Sequence, residues 1–248
     1  MGGIGVADAA RNNAAWCDAV CCAHGAAGEF SDSYWLSRAA VPPFHPNLVT
    51  LAPASEPALA AVRELEQTRP AASCAVKDSF AVLALEPLGF RLLFAAEWIA
   101  RPALSRPSGQ RSRAGWLRVE TESALSAWEA AWGESRGRSR IFLPALLRRT
   151  DFAFLAALDG GGAIAAGVVA HRTGSAVGLS NAFAHGEEAV SLRAAGVEAA
   201  SDAFPGLPLV GYEAGPALAA SRALGFASLG PLRIWAREEG PRPHAASR

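Results

Sequence analysis

Residues 212–226 read Tyr212-Glu213-Ala214-Gly215-Pro216-Ala217-Leu218-Ala219-Ala220-Ser221-Arg222-Ala223-Leu224-Gly225-Phe226, and they describe the end of a strand, a short helix and the start of another strand. Leu207 to Tyr212 is apolar enough to be a strand. Gly215 to Leu224 has helical spacing, Gly225 is a natural stop, and Phe226 to Trp235 follows as a strand pair or one bent strand. The same ending occurs once before. Leu88-Gly89-Phe90 is followed by Trp98-Ile99-Ala100-Arg101, as Leu224-Gly225-Phe226 is followed by Ile234-Trp235-Ala236-Arg237. In both copies a glycine ends a helix, a Phe begins a strand, and a Trp closes it eight or nine residues later. Self-similarity of this kind points to two related units in one chain.

Working upstream, Phe152 to Leu158 and Ala163 to Ala170 are apolar runs joined by Asp159-Gly160-Gly161-Gly162, whose glycines can take positive φ; they predict a β-hairpin. Val177-Gly178-Leu179-Ser180-Asn181 is a third strand, and Glu187 to Phe204 a helix with acidic residues in its first turn. Thr121-Glu122-Ser123-Ala124 opens a helix that runs to Trp132, and Ser135 to Arg140 is a polar loop. Helix, hairpin, strand, helix, strand, helix, strand is an α/β arrangement on a mixed sheet (α+β in its antiparallel part). The first half predicts a helix from Asp8 to His24, a strand at Leu48 to Leu51, a helix from Glu56 to Gln67, and strands near Cys74 to Leu85 and Phe90 to Ile99. Between the halves, Arg101 to Arg113 is rich in Pro, Ser and Arg and has no periodicity. It reads as a linker that divides the chain into domains 1–105 and 114–240.

Composition narrows the function classes. The 248 residues carry 23 basic and 23 acidic groups and are 51% hydrophobic, which describes a globular chain with no basic surface for nucleic acid. Of the basic residues 22 are Arg and one is Lys77; with 56 Ala this reflects a GC-rich coding sequence. No apolar stretch long enough to span a bilayer and no signal peptide is present, so a cytoplasmic location is expected. Cys17, Cys21, Cys22 and Cys74 are expected as reduced thiols. Cys17, Cys21 and His24 share one helical face, but Cys22 points elsewhere and no fourth ligand is near, so no metal site is expected.

Residues 114–238, and above all Tyr212 to Phe226 with Leu229-Gly230-Pro231-Leu232-Arg233-Ile234-Trp235, resemble the GNAT (GCN5-related N-acetyltransferase) superfamily. The resemblance covers about half the chain. The first half, matched by its Leu88-Gly89-Phe90 ending, is similar to a degenerate or truncated second copy, which makes the whole a tandem GNAT-like protein. The resemblance implies a mixed sheet splayed between two central strands, with acetyl-CoA or another acyl-CoA entering the splay. It implies transfer to a small-molecule amine by direct attack on the thioester, involves neither nucleic acid nor membrane, and leaves a homodimer open.

An acyl-CoA site needs unpaired main chain along one strand for the pantetheine arm and free N–H groups at a helix start for the pyrophosphate. The candidates are Leu179, Ser180, Asn181, Phe183 and Gly186, leading into the helix at Glu187. The family's loop pattern, laid over this helix start, falls on Ala189, Leu192 and Ala194. Leu192 is bulky where a phosphate needs close approach, and Glu187 and Glu188 put negative charge where the anion would lie.

Amine acetylation needs a base for the ammonium and an acid for the leaving thiolate. The family's tyrosine acid maps onto Ser221; Tyr212 is a substitute acid, and Glu213 the base by position. His171 and His185 are further candidate bases. Two other readings stay open: a catalytically inactive GNAT-like binding or scaffold module, which Leu192 and Ser221 favour, and an acyl-CoA enzyme of this fold with another reaction such as decarboxylation.

Overall fold

A computed structural model describes residues 3–69, 73–103, 115–133 and 140–237. In chain order it contains α1 (Val6–Ala23), β1 (Glu29–Phe30), β2 (Tyr34–Leu36), β3 (Leu48–Thr50), α2 (Ser55–Thr68), β4 (Cys74–Asp78), a 3-10 turn (Glu86–Leu88) and β5 (Arg91–Arg101). There follow β6 (Trp116–Arg118), α3 (Glu122–Trp132), a second 3-10 turn (Pro144–Arg148), β7 (Phe152–Leu158), β8 (Ile164–Thr173), β9 (Ala176–Ala184), α4 (Ala189–Ala203), β10 (Leu209–Glu213), α5 (Gly215–Ala223) and β11 (Ala227–Arg237). The fold is α/β, and the strands form one mixed sheet ordered β1-β2-β3-β4-β11-β5-β10-β9-β8-β7-β6.

This order interleaves the halves of the chain. The last strand, β11, lies between β4 and β5, and β5 lies between β11 and β10, so each half lends its final strand to the other. The pairing is near-symmetric: Ala227 faces Ala100 at one end of the β5–β11 ladder, and Ala236 faces Arg91 at the other.

The repeated sequence ending is a repeated structure. The Gly89 and Gly225 N–H groups donate to the carbonyls of Glu86 and Arg222, each at 3.0 Å, while Phe90 and Phe226 reach back to Leu85 and Ser221, each at 3.2 Å. Both glycines have left-handed φ, 76° and 86°, which a side chain would strain. The guanidinium of Arg237 lies over the Phe90 ring at 5.4 Å and that of Arg101 over Phe226 at 5.7 Å. Arg237 pairs with Glu66 of α2 at 2.5 Å and Arg101 with Glu198 of α4 at 2.7 Å. The carbonyl four positions before each glycine stop and the arginine that ends each strand therefore have matching partners in both halves.

One face of the sheet carries α1 and α3 over a core that includes Trp16, Trp98, Trp128, Phe142, Phe154 and Val210. The other face carries α2 on Leu48, Val76, Phe90 and Trp235, and α4 on Leu155, Val168, Leu209 and Phe226. Apolar burial on both faces of a sheet is the dominant stabilising term, about 25 cal/mol per Å².

The structure alters three sequence expectations. The strand expected from Cys74 to Leu85 ends at Asp78, because that carboxylate accepts the N–H groups of Val82 (3.2 Å) and Leu83 (2.9 Å) and turns the chain. Arg101 is not linker: it is the buried last residue of β5. Residues 104–113 of the expected linker, and 135–139 of the polar loop, lie outside the described residues. The short strands β1, β2 and β6 have too few residues to show a period and were not expected from the sequence.

Candidate active site

Strands β9 and β10 start side by side and then part. They pair in parallel only at Val177 with Leu209 and Gly178 with Val210. From Leu179 onward β9 keeps its ladder with β8 but has no strand on its β10 side. The cause is one extra residue: Ser180 faces Val169 while Phe183 faces Gly167, and Asn181 takes φ of 53° inside that bulge. A bulge bends its strand and raises local twist, which carries β9 away from β10. A Cβ on Gly211 of β10 would meet the Leu179 carbonyl oxygen at 3.5 Å, so main chain lines the mouth of the opening.

The corresponding gap in the first half is closed. Cys74 faces Arg237 as Leu209 faces Arg101, so Lys77 of β4 stands where Tyr212 stands in β10. There β3 is still paired with β4 at Val49 and Lys77, and the Thr50 hydroxyl accepts the Ser79 N–H at 2.7 Å beyond it.

Tyr212 lies on the α1 face of the sheet, opposite Trp98 of β5, with the rings edge to face at 5.5 Å. The Lys77 Nζ stands 4.4 Å from the Tyr212 ring centroid and donates to Asn13 Oδ1 of α1 at 2.6 Å. Lys77 is 5% exposed and Asn13 is buried beside it. The same Asn13 oxygen accepts the Cys17 thiol at 3.8 Å. Sequence reading noted Lys77 only as the single lysine and did not single out Asn13. The available signal was the charge itself, since Lys77-Asp78 interrupts an apolar strand where a charge needs a reason.

Glu213, next along β10, faces the other side of the sheet because strand residues alternate. Burial raises its carboxyl pKa and the Arg193 charge of α4 opposes that rise. A base is therefore available in a partly desolvated position, but it does not share a face with Tyr212. Ser221 is half-buried on α5, where its carbonyl accepts the N–H groups of Leu224 and Phe226 and closes the helix.

Of the residues expected along the acyl-CoA path, Leu179, Ser180 and Asn181 are half-buried at the edge of the opening. Phe183 puts its ring into the core against Trp128, 5.1 Å between centroids, so only its main chain is near that edge. Gly186 has φ of 76° and makes the turn into α4, where its carbonyl accepts the Ala189 N–H at 3.3 Å. Glu187 and Glu188 are exposed at the helix start, and Glu188 gives α4 no side-chain cap.

The two histidines are elsewhere. His171 is buried on β8 with its ring nitrogen 3.1 Å from the Asn12 carbonyl, and burial holds its pKa down to about 4. His185 sits 2.8 Å from the Ala131 carbonyl at the surface. All four cysteines are free thiols, and among the described residues no three His, Cys, Asp or Glu side chains gather as a metal site.

No family model matches this chain, and no curated protein matches it in sequence. Solved structures do. A GCN5-related N-acetyltransferase from Kribbella flavida is similar over 98% of this chain and 99% of its own, with a TM-score of 0.60 and 15% identity. A GNAT-family protein from Novosphingobium aromaticivorans gives 0.59 at 13% identity, covering 94% and 99% of the two chains. The chain has the GNAT fold. A third GNAT-fold structure, a GCN5-related N-acetyltransferase from Sphaerobacter thermophilus, matches at 0.53 with 14% identity over 79% of this chain and 72% of its own. Among the described residues no helix is long and apolar enough to cross a membrane.

Proposed function

We propose that this GNAT-fold chain is an acyl-CoA-dependent N-acyltransferase that moves an acetyl group from acetyl-CoA to a small-molecule amine. The observation that carries this reading is the parting of β9 from β10 after Gly178. It leaves the main chain of β9 beyond Gly178 without a strand on its β10 side, where an extended pantetheine arm could pair with it. At the α4 start the Gly186 turn supplies N–H groups, and Arg193 is the nearby cation. In this reading residues 1–105 are a degenerate GNAT-like unit and residues 114–240 the acyltransferase unit.

The chemistry assigned to the protein is modest. Glu213, whose pKa burial raises so that its carboxylate is a stronger base, is assigned the proton that the amine loses on attack; because it faces away from Tyr212, that proton passes through the opening between β9 and β10. Tyr212, one residue before the end of β10, is assigned proton donation to the departing thiolate; Ser221 is the alternative donor on α5.

The test is thermal stability with and without acetyl-CoA: at about 100 times Kd the ligand adds about 2.7 kcal/mol. Glu213→Gln and Tyr212→Phe should then lower turnover with little change in melting temperature. One observation favours a second reading, a GNAT-fold binding or scaffold module without catalysis. Glu187, Glu188 and Leu192 stand at the helix start that a pyrophosphate would use, and no stabilisation at millimolar acetyl-CoA would select that reading.

A further inference from the structure

The ammonium of Lys77 is buried and has no carboxylate partner among the described residues. Its contacts are one hydrogen bond to Asn13 Oδ1 at 2.6 Å and the face of the Tyr212 ring at 4.4 Å. An ammonium has three donors, and its protein neighbours here are a neutral amide and a phenol ring. Asp78, the next residue, uses its carboxylate on the N–H groups of Val82 and Leu83. Close by in the chain, the buried Ser79 hydroxyl also has no partner, although the Ser79 carbonyl accepts the Trp98 indole N–H at 2.9 Å. Trp98 in turn packs edge-on against Tyr212. A charge taken out of water is costly unless it is paired, so a buried ammonium whose partners are one neutral amide and a phenol ring is a site that an anion would complete.

We propose that Lys77 binds the carboxylate of the acceptor, and that the acceptor is therefore a free amino acid rather than a simple amine. This rests on the N-acyltransferase reading and names its substrate class. The placement suits it: Lys77 belongs to β4 and reaches, across the exchanged strands β11 and β5, to the tyrosine at the edge of the opening between β9 and β10. A carboxylate held on Nζ leaves its α-amine beside Tyr212, within reach of a thioester laid along β9. The first half thus contributes the acceptor's anchor, and the second half the path for the acyl donor.

The experiment measures acetylation of the 20 common L-amino acids and of their α-carboxamides by the wild-type chain, and by Lys77→Met and Lys77→Arg. For the acids preferred by the wild type, Lys77→Met should raise KM by about 10-fold to 100-fold, the range for losing a charged hydrogen bond, with a smaller change in kcat. Lys77→Arg should recover part of the loss, and the carboxamides should be poor acceptors that the substitution does not worsen.

Equal use of acids and carboxamides by the wild type would overturn the proposal while leaving the acyltransferase reading intact, and it needs no variant to fold. If acetyl-CoA neither binds nor reacts, the underlying reading fails. The anchor is then judged by melting temperature with each amino acid and with acetate: a rise that Lys77→Met abolishes supports it, and no rise, or a rise with acetate alone, overturns it.

Discussion

The two junctions at the middle of the sheet share a plan and differ in their neighbours. Where β4 receives β11, Phe90 is covered by Arg237 and Glu66 holds the guanidinium; where β10 receives β5, Phe226 is covered by Arg101 and Glu198 does the same. The parallel strand beside each junction then departs from the symmetry. At the first, β3 stays paired as far as Lys77; at the second, β9 leaves after Gly178, two residues before Tyr212. A single additional residue at Asn181 separates a closed sheet from an open one. The opening is a local insertion on a shared framework, and the charged residue of the closed junction points across to the open one.

The largest effect should come from the end of β9 that remains paired. A Cβ on Gly178 would stand 2.0 Å from Asn12 Oδ1 and 2.2 Å from a His171 ring carbon, both in the α1 contact. Gly178→Val is expected to cost about 3 kcal/mol or more, read as a lower urea midpoint; an unchanged midpoint would mean α1 does not fix this end of the opening.

Breaking the matched ion pairs tests how equal the junctions are. The Arg101 side chain is 8% exposed and that of Arg237 17%. Arg101→Leu should cost about 3 kcal/mol and Arg237→Leu about half of that, because Arg101 is the more buried guanidinium and also donates to Ser201 Oγ at 3.0 Å. Equal costs would remove the asymmetry.

Among the described residues each half also buries one histidine, His45 in the first and His171 in the second, and burial holds both down to about pKa 4 from an ordinary 6.5. The unfolded chain therefore binds protons first, and stability falls as pH drops from about 6.5 towards 4. By pH 5 each histidine should remove about 2 kcal/mol. His45→Gln and His171→Gln should each flatten the slope of unfolding free energy against pH in that window; a slope that neither changes would show that other groups set it.

The smallest effect concerns the bulge. With φ of 53°, Asn181→Gly should be nearly neutral and Asn181→Val should cost about 1 kcal/mol, together with a reduced stabilisation by acetyl-CoA. A valine variant with full acetyl-CoA stabilisation would separate the bulge from ligand binding.

Much of the fold was legible because it is local. Glycine stops at Gly89 and Gly225, the Asp159-Gly160-Gly161-Gly162 hairpin and the Thr121 cap, whose hydroxyl accepts the Ala124 N–H at 3.2 Å, each depend on a few adjacent residues. The site was legible only in outline. Tyr212 and Glu213 were marked by their place at a strand end, yet strand alternation sends them to opposite faces, and the pairing register then gives Tyr212 to Trp98 and Lys77. Phe183 fell in the expected loop, but its ring is drawn into the aromatic core under α3, where an apolar side chain gains most.

The sequence by itself determined the longer elements, the repeated Leu-Gly-Phe ending and the resemblance that ending carries, since spacing and turn residues act over a turn or two of chain. Only the tertiary structure decided that the halves exchange their last strands, that one gap closes and the other opens, and that Lys77 meets Tyr212 beneath Asn13. Those outcomes depend on strand order and side-chain direction between residues remote in sequence. Residue spacing holds no record of either, because burial and hydrogen-bond pairing settle them once the whole sheet has formed.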